Sequence, residues 1–241
     1  MEQDFEPAFL LHHRPFRDSS LIIELFTQYQ GRLGAVARSA RGTSAKARER
    51  ASVLQPFQLL DISCTGRGDL KTLASAEVRE RRSLKGDALY AALYLNELSL
   101  RALHRCDPHP RLWQSYAQSL SQLEQWSSGD RGTLETILRF YELTLLEQLG
   151  YGLSFGPELE HDTAYQLDPE GGFKVAPPSA PHFLGRELRE LSPAGVDEYS
   201  GLPQWRAEQL RLLKSVCRQA LVPLIGREPL KSRELFRGRN Q

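Results

Sequence analysis

The sequence predicts an α+β protein in two parts, a small five-stranded β-barrel over residues 1–80 and an α-helical domain over residues 81–241. Three observations carry this. Between residues 8 and 78 apolar and polar side chains alternate in five short runs, the period of half-buried strands. From residue 84 onward apolar residues recur at three- and four-residue spacing, the period of amphipathic helices. One long basic stretch, GRLGAVARSARGTSAKARERASVLQPF from Gly31, interrupts the strands midway.

Residues 8–12 read as a short apolar strand ended by Arg14-Pro15. Residues 20–27 alternate, with Leu21, Ile23 and Leu25 facing one way and Ile22, Glu24 and Phe26 the other. Gln30-Gly31 makes a turn, and residues 32–38 return with Leu33, Ala35 and Ala37 opposite Arg32, Val36 and Arg38. A polar run follows that holds Arg41, Lys46, Arg48 and Arg50, with Glu49 its only acid, and it reads as a flexible basic loop. After Gln55-Pro56-Phe57, residues 57–64 alternate again with Leu60 and Ile62 on the core face. Thr65-Gly66-Arg67-Gly68-Asp69 is a hairpin turn, and residues 70–78 form the fifth strand. Five short strands with one long loop make an OB-fold the natural candidate, and an SH3-like barrel fits the count nearly as well.

Three helical stripes follow: Leu89, Leu93, Asn96, Leu100 and Leu103; Leu112, Tyr116, Leu120 and Leu123; and Leu134, Leu138, Tyr141, Leu145 and Leu149. Pro108 and Pro110 separate the first two, Ser127-Ser128-Gly129-Asp130 the next, and Gly150 suits the position after the third. Asn96 reads as a satisfied core or interhelix group. Residues 151–182 look irregular, with a small hairpin around Gly171-Gly172. A short helix is expected over 184–191, a longer one over 205–221 stopped by Pro223, and a last one over 230–236.

The net charge of +1 does not announce a polyanionic partner, but the charge is uneven. Residues 151–204 carry three Lys and Arg against nine acids, and residues 205–241 carry nine against three. Basic character therefore collects in the 31–50 stretch and near the C-terminus. Cys64, Cys106 and Cys217 are odd in number and far apart, without a CxxC pair, which points to a reducing compartment. The acidic start MEQDFEP lacks a signal-peptide apolar region, and no apolar run is long enough to span a membrane. The expectation is a cytoplasmic protein.

No P-loop, no GxGxxG after a strand, no GxSxG elbow and no HExxH is present. Glu158, Glu160, Asp162 and Asp168 cluster in a segment with no strand ends to fix them, and they read as a solvated acidic loop. His104, Cys106 and His109 lack a fourth nearby metal ligand. What remains is a binding surface for phosphates, with Arg32, Arg38, Arg41, Lys46, Arg48 and Arg50 in one half and Lys231, Arg233 and Arg237 in the other. Phe16, Phe26, Tyr29 and Phe57 are the aromatics available to stack bases, most of them read as core.

Taken together, AFLLHHRPFRDSSLIIELFTQYQGRLGAVARSAR, LQPF after the basic run, the hairpin GRGDLKTLASAE, LYLNEL, LRFYELTLLEQLGYG and the terminal PLKSRELFR resemble the bacterial RecO family. The resemblance keeps its order over nearly the whole chain. It implies an N-terminal OB-fold followed by an α-helical domain. It also implies a non-enzymatic mediator of DNA repair and homologous recombination, nucleoid-associated, that binds single- and double-stranded DNA and anneals complementary strands. The implied partners are the acidic C-terminal tail of single-stranded DNA-binding protein (SSB) and RecR, with which it promotes RecA loading on SSB-coated DNA. Arg139 stands where the family places an arginine implicated in holding the SSB tail. Some members carry a four-cysteine zinc module between their helices; this chain has no cysteine between Cys106 and Cys217, so no zinc or other cofactor is expected.

Three rival readings stay open on the residues alone. One is an RNA-binding OB-fold protein, the second a metal-dependent nuclease built on the 158–168 acids, and the third a protein adaptor without direct DNA contact.

Overall fold

The computed structural model describes residues 5–126, 128–168, 171–192 and 202–237, with side chains in the last stretch described through Leu235. Strands β1 (Glu6–Phe16), β2 (Ser20–Thr27) and β3 (Gly31–Ala37), helix α1 (Ala45–Val53), and strands β4 (Leu59–Thr65) and β5 (Leu70–Glu80) come first. The strands close into a barrel in the order β1-β2-β3-β5-β4, antiparallel throughout except where β3 meets β5. This is the expected five-stranded barrel of OB type. Its core is the inward set the alternation marks, including Leu10, Ile23, Leu25, Leu33, Leu60 and Ile62.

Strand β1 runs further than expected. β1 continues through Pro15, which pairs with Leu21 of β2. The β1–β4 pairing covers only Glu6–Phe9, so no strand on the other side asks Pro15 for an N–H. The larger difference is α1. The segment expected to be a flexible basic loop is a helix, capped where the Ser44 hydroxyl accepts the Ala47 N–H at 3.2 Å. Ala47 and the following Leu54 are buried, and Leu54 joins the barrel core.

Helices α2 (Gly86–Ala102) and α3 (Pro110–Gln125) follow, α3 starting on a proline whose missing N–H is not needed there. They cover one outer face of the barrel. Phe9 packs against Trp113 and Tyr116 at 5.5 and 5.0 Å between ring centres. The Trp113 indole donates to the Phe26 carbonyl at 3.1 Å. Asn96 is buried, donates to the Leu11 carbonyl at 2.9 Å and accepts the Tyr116 hydroxyl, so it is the hydrogen-bonded group the stripe implied. The link between α2 and α3 lies on β3: the Cys106 N–H donates to the Arg32 carbonyl at 2.9 Å. Gly31, at φ +73, is required here, because any Cβ would collide with the Asp107 carbonyl.

The remaining elements are α4 (Arg131–Gln148), β6 (Ala164–Leu167), β7 (Phe173–Val175), β8 (Phe183–Leu184), α5 (Gly185–Arg189), α6 (Ala207–Ala220), α7 (Val222–Ile225) and α8 (Lys231–Arg237). The chain divides into two compact units, one of residues up to 124 together with those from 230 on, the other of residues 125–229. The expected boundary at residue 80 falls at the end of the last barrel strand, whereas the compact units group α2, most of α3 and α8 with the barrel. The reason is the packing of α2 and α3 on β1 and of α8 on α2. In the second unit the expected hairpin at Gly171-Gly172 is present as β6 and β7, paired from Tyr165 and Val175 to Leu167 and Phe173. Its core gathers Phe155, Tyr165, Leu188, Leu213, Val216 and Cys217.

Candidate nucleic-acid interface

One end of the barrel gathers cations around an open basin. β1 and β2 join through Arg17-Asp18-Ser19, with Arg17 at φ +51. The Ser19 carbonyl accepts the backbone N–H groups of Ala40 at 2.9 Å and Arg41 at 3.0 Å, tying the segment that leaves β3 to this turn. Arg41 Nη1 reaches the Arg17 carbonyl at 3.4 Å. The start of β5 completes the rim, because Gly34 pairs with Leu70 and Val36 with Thr72. The basin between them has a volume of about 430 Å³, with Phe16, Arg17, Val36, Arg38 and Leu70 in its lining and hydroxyls from Ser19, Ser20 and Thr72. No acid lines it among the described residues. The guanidinium groups of Arg17, Arg38 and Arg41 are exposed, as phosphate contacts need to be.

The structure sorts the candidate stacking aromatics. Phe26 and Phe57 are buried and serve packing. Tyr29 is exposed but sits at the other end of β2. Phe16 alone is in the basin, half-buried, with the Arg17 guanidinium 5.1 Å from its ring centre. Arg17 escaped sequence reasoning. Its signal was the hairpin turn RPFRDSS, which places two arginines around an aromatic at a strand end.

The basic run takes a different form from the expected loop. Arg38 lines the basin, and Arg41 adjoins it through its bond to the Arg17 carbonyl. Lys46, Arg48 and Arg50 lie on α1, so helical pitch fixes their spacing and a loop does not. Lys46 and Arg50 share a face and, with Glu49, Val53, Leu54 and Leu73–Ala76, line a smaller groove of about 180 Å³. Arg50 Nη1 donates to the Arg38 carbonyl at 2.5 Å, which links this face to the basin.

Other predicted contacts are already occupied. Arg32 pairs with Glu24 at 3.0 Å and donates to the carbonyls of Leu100 at 2.6 Å and Leu103 at 3.0 Å. It fastens α2 to the barrel and is not displayed for phosphate. In α8, Arg233 lies over the Tyr94 ring at 5.5 Å and donates to its hydroxyl at 3.3 Å, so it holds α8 on α2. Lys231 keeps an exposed side chain while its N–H donates to Glu97. The Arg237 side chain lies outside the described residues.

Arg139, in the second unit, is 5% exposed and pairs with Glu142 at 2.5 Å. An incoming carboxylate meets an arginine that already holds one. Burial, with the Glu142 carboxylate beside it, pushes the Cys217 thiol well above its ordinary range, so this thiol stays protonated. The acids of the 158–168 segment are tied into local turns: Glu158 accepts from Ser154, Glu160 from Thr163 at 2.9 Å, and Asp162 pairs with Arg186 at 3.3 Å. Among the described residues no three His, Cys, Asp or Glu side chains converge as a metal site, and no helix is long and apolar enough to cross a membrane.

A closed five-stranded barrel of OB type followed by a helical region defines the class of fold to which the chain belongs. Comparison with known proteins then places the chain within that class. The family model "Recombination protein O N terminal" matches residues 1–82, and "Recombination protein O C terminal" matches residues 84–161. The chain is 38% identical over 240 residues to the DNA repair protein RecO of Coxiella burnetii (strain CbuG_Q212), covering 96% of each chain. It is 39% identical over 244 residues to the DNA repair protein RecO of Pseudomonas paraeruginosa, covering 98% of this chain and 96% of that one. Against the DNA repair protein RecO of Stutzerimonas stutzeri it is 37% identical over 239 residues, covering 96% and 92%. The chain belongs to the RecO family of DNA repair proteins.

Proposed function

We propose that this protein is a non-enzymatic mediator of recombinational DNA repair that binds DNA through the barrel basin and brings complementary strands together. The observation that supports the reading best is the placing of Arg17 and Arg38 around an aromatic and an acid-free floor, with Arg41 tied beside them through the Ser19 and Arg17 carbonyls. Lys46, Arg48 and Arg50 extend the same positive surface along α1. Annealing then requires no bond to be broken. The cations screen the repulsion between two phosphate backbones and hold the strands within reach of each other.

Family membership supports the partners: RecR, the SSB tail, and through them RecA loading on SSB-coated DNA. For the tail, Arg139 is reached only by displacing Glu142, so a tail peptide competes with an internal carboxylate. The test of the DNA reading is anisotropy titration of a labelled single-stranded 30-mer at several salt concentrations, with wild type and with the triple variant Arg17→Ala, Arg38→Ala, Arg41→Ala. The expected result is a loss of at least tenfold in affinity at low salt. The log–log salt slope should fall by about 2, at roughly 0.7 per lost phosphate contact on a single strand. An unchanged slope overturns the basin assignment.

A further inference from the structure

We infer that Phe16 is a stacking platform for one unpaired nucleobase, covered in the free protein by the Arg17 guanidinium. This rests on the DNA-binding reading and adds a subsite to it.

Phe16 does not belong to the barrel core, which is built from residues such as Leu10, Leu21, Ile23 and Leu60. It closes β1, pairs with Ser20 across the hairpin, and presents a half-buried ring to the basin. Val36 and the 42%-exposed Leu70 continue an apolar floor beside it. An aromatic displayed outside the core, next to apolar neighbours and the guanidinium groups of Arg17 and Arg38, offers a π-face and a phosphate partner within one base step.

The second observation is the cover. The Arg17 guanidinium carbon lies 5.1 Å from the ring centre, in cation–π range. Arg17 reaches that place in the left-handed region, φ +51, which is uncommon for a long side chain. Arg41, donating to the Arg17 carbonyl, helps to hold the turn there. A base arriving on the ring displaces the guanidinium. The released arginine then meets the neighbouring phosphate, exchanging a cation–π contact for a charge-assisted hydrogen bond. Arg17 thus keeps the apolar ring covered until a strand arrives. A base inside a duplex is already paired and stacked, so the subsite selects single strands. It contacts the base and not the sugar.

The experiment uses the full-length protein with single-stranded oligomers carrying one 2-aminopurine, whose fluorescence reports stacking, alongside matched thymidine and uridine oligomers and a duplex. Wild type is compared with Phe16→Leu and Phe16→Trp. The expected result for Phe16→Leu is a roughly 5- to 150-fold loss of single-strand affinity, as truncation of one base–aromatic stack gives. The bound-state 2-aminopurine signature should vanish, duplex affinity should stay unchanged, and the loss should be equal for thymidine and uridine. Phe16→Trp should keep both affinity and signature. Unchanged duplex affinity also reports that Phe16→Leu is folded. Tight single-strand binding by Phe16→Leu with the signature intact overturns the inference and leaves the DNA reading standing. A loss confined to one sugar type overturns it too, by assigning the contact elsewhere. Failure of wild type to bind any oligomer removes the DNA reading and this subsite together.

Discussion

The carboxylate of Glu97 receives both the backbone N–H and the hydroxyl of Ser232, at 2.9 and 2.7 Å, and the N–H of Lys231 at 3.0 Å. It therefore supplies from α2 the cap that α8 lacks in its own sequence. Leu230 is buried at the same junction, and Arg233 covers Tyr94. Replacing Glu97 by Ala removes three charge-assisted hydrogen bonds, and the expected cost is about 2–3 kcal/mol. Denaturant unfolding and hydrogen exchange along 230–237 check this, with exchange rising in α8 before the rest of the first unit.

The same carboxylate sets a pH dependence. Burial alone raises its pKa, but the hydrogen bonds from Ser232 and Lys231 and the charge of Arg101 outweigh that and hold it below 4.5. A carboxyl with a depressed folded pKa contributes stability that is fully present above the unfolded value and is lost as pH falls through the folded one. The expected outcome is that α8 loosens in the acid range below about pH 4.5. Glu97→Gln should flatten that part of the stability–pH curve, measured by thermal unfolding at stepped pH.

Arg139 and Glu142 form an ion pair with both side chains almost fully buried, 6% and 2% exposed. Removing one partner leaves a charge in the core of the second unit, so Arg139→Ala should destabilise by roughly 3–5 kcal/mol. The double change Arg139→Met with Glu142→Leu should cost far less, because no charge is then left behind. A double-mutant cycle in urea separates the pair's coupling from packing. The same proteins titrated with an acidic peptide show whether Glu142 competes for the guanidinium.

Asn96 satisfies two groups at once, the Leu11 carbonyl and the Tyr116 hydroxyl. Asn96→Ala leaves both without it and opens space under the β1 bulge between Leu10 and His12. The expected loss is about 2–4 kcal/mol. Adding Tyr116→Phe should recover part of it, since one of the two groups that lost Asn96 is then absent.

The barrel was legible because its signal is local: Leu21, Ile23 and Leu25 alternate within one strand, and Gly31 and Gly66-Arg67-Gly68 mark turns. α1 was not, because a short helix that buries little beyond Ala47 leaves almost no apolar period in AKARERASV. The cap at Ser44 was the one available signal. The site was half legible. Composition identifies cations, but it does not tell a displayed arginine from one used in packing. That distinction depends on partners far along the chain: Leu100 for Arg32, Tyr94 for Arg233. Arg17 was hidden for the converse reason, since the Ser19 carbonyl brings Ala40 and Arg41 to its turn from far along the chain.

Arg32 and Arg38, at opposite ends of β3 and six residues apart in sequence, give the sharpest test of that distinction. Arg38 is exposed at the basin and uses its carbonyl, not its guanidinium, to hold Arg50. Its replacement by Ala should leave the unfolding midpoint within about 0.5 kcal/mol of wild type, as for other surface changes. Its DNA affinity and salt slope should both fall. Arg32 instead satisfies two carbonyls at the end of α2 and shares Glu24 with Arg105. Arg32→Ala should cost about 2–3 kcal/mol, by leaving those acceptors and part of Glu24 unsatisfied, while the salt slope of DNA binding stays that of wild type. Parallel urea unfolding and oligonucleotide titration of the two variants read out both quantities. A fall in salt slope for Arg32→Ala at temperatures where it is fully folded would return Arg32 to the phosphate-binding set.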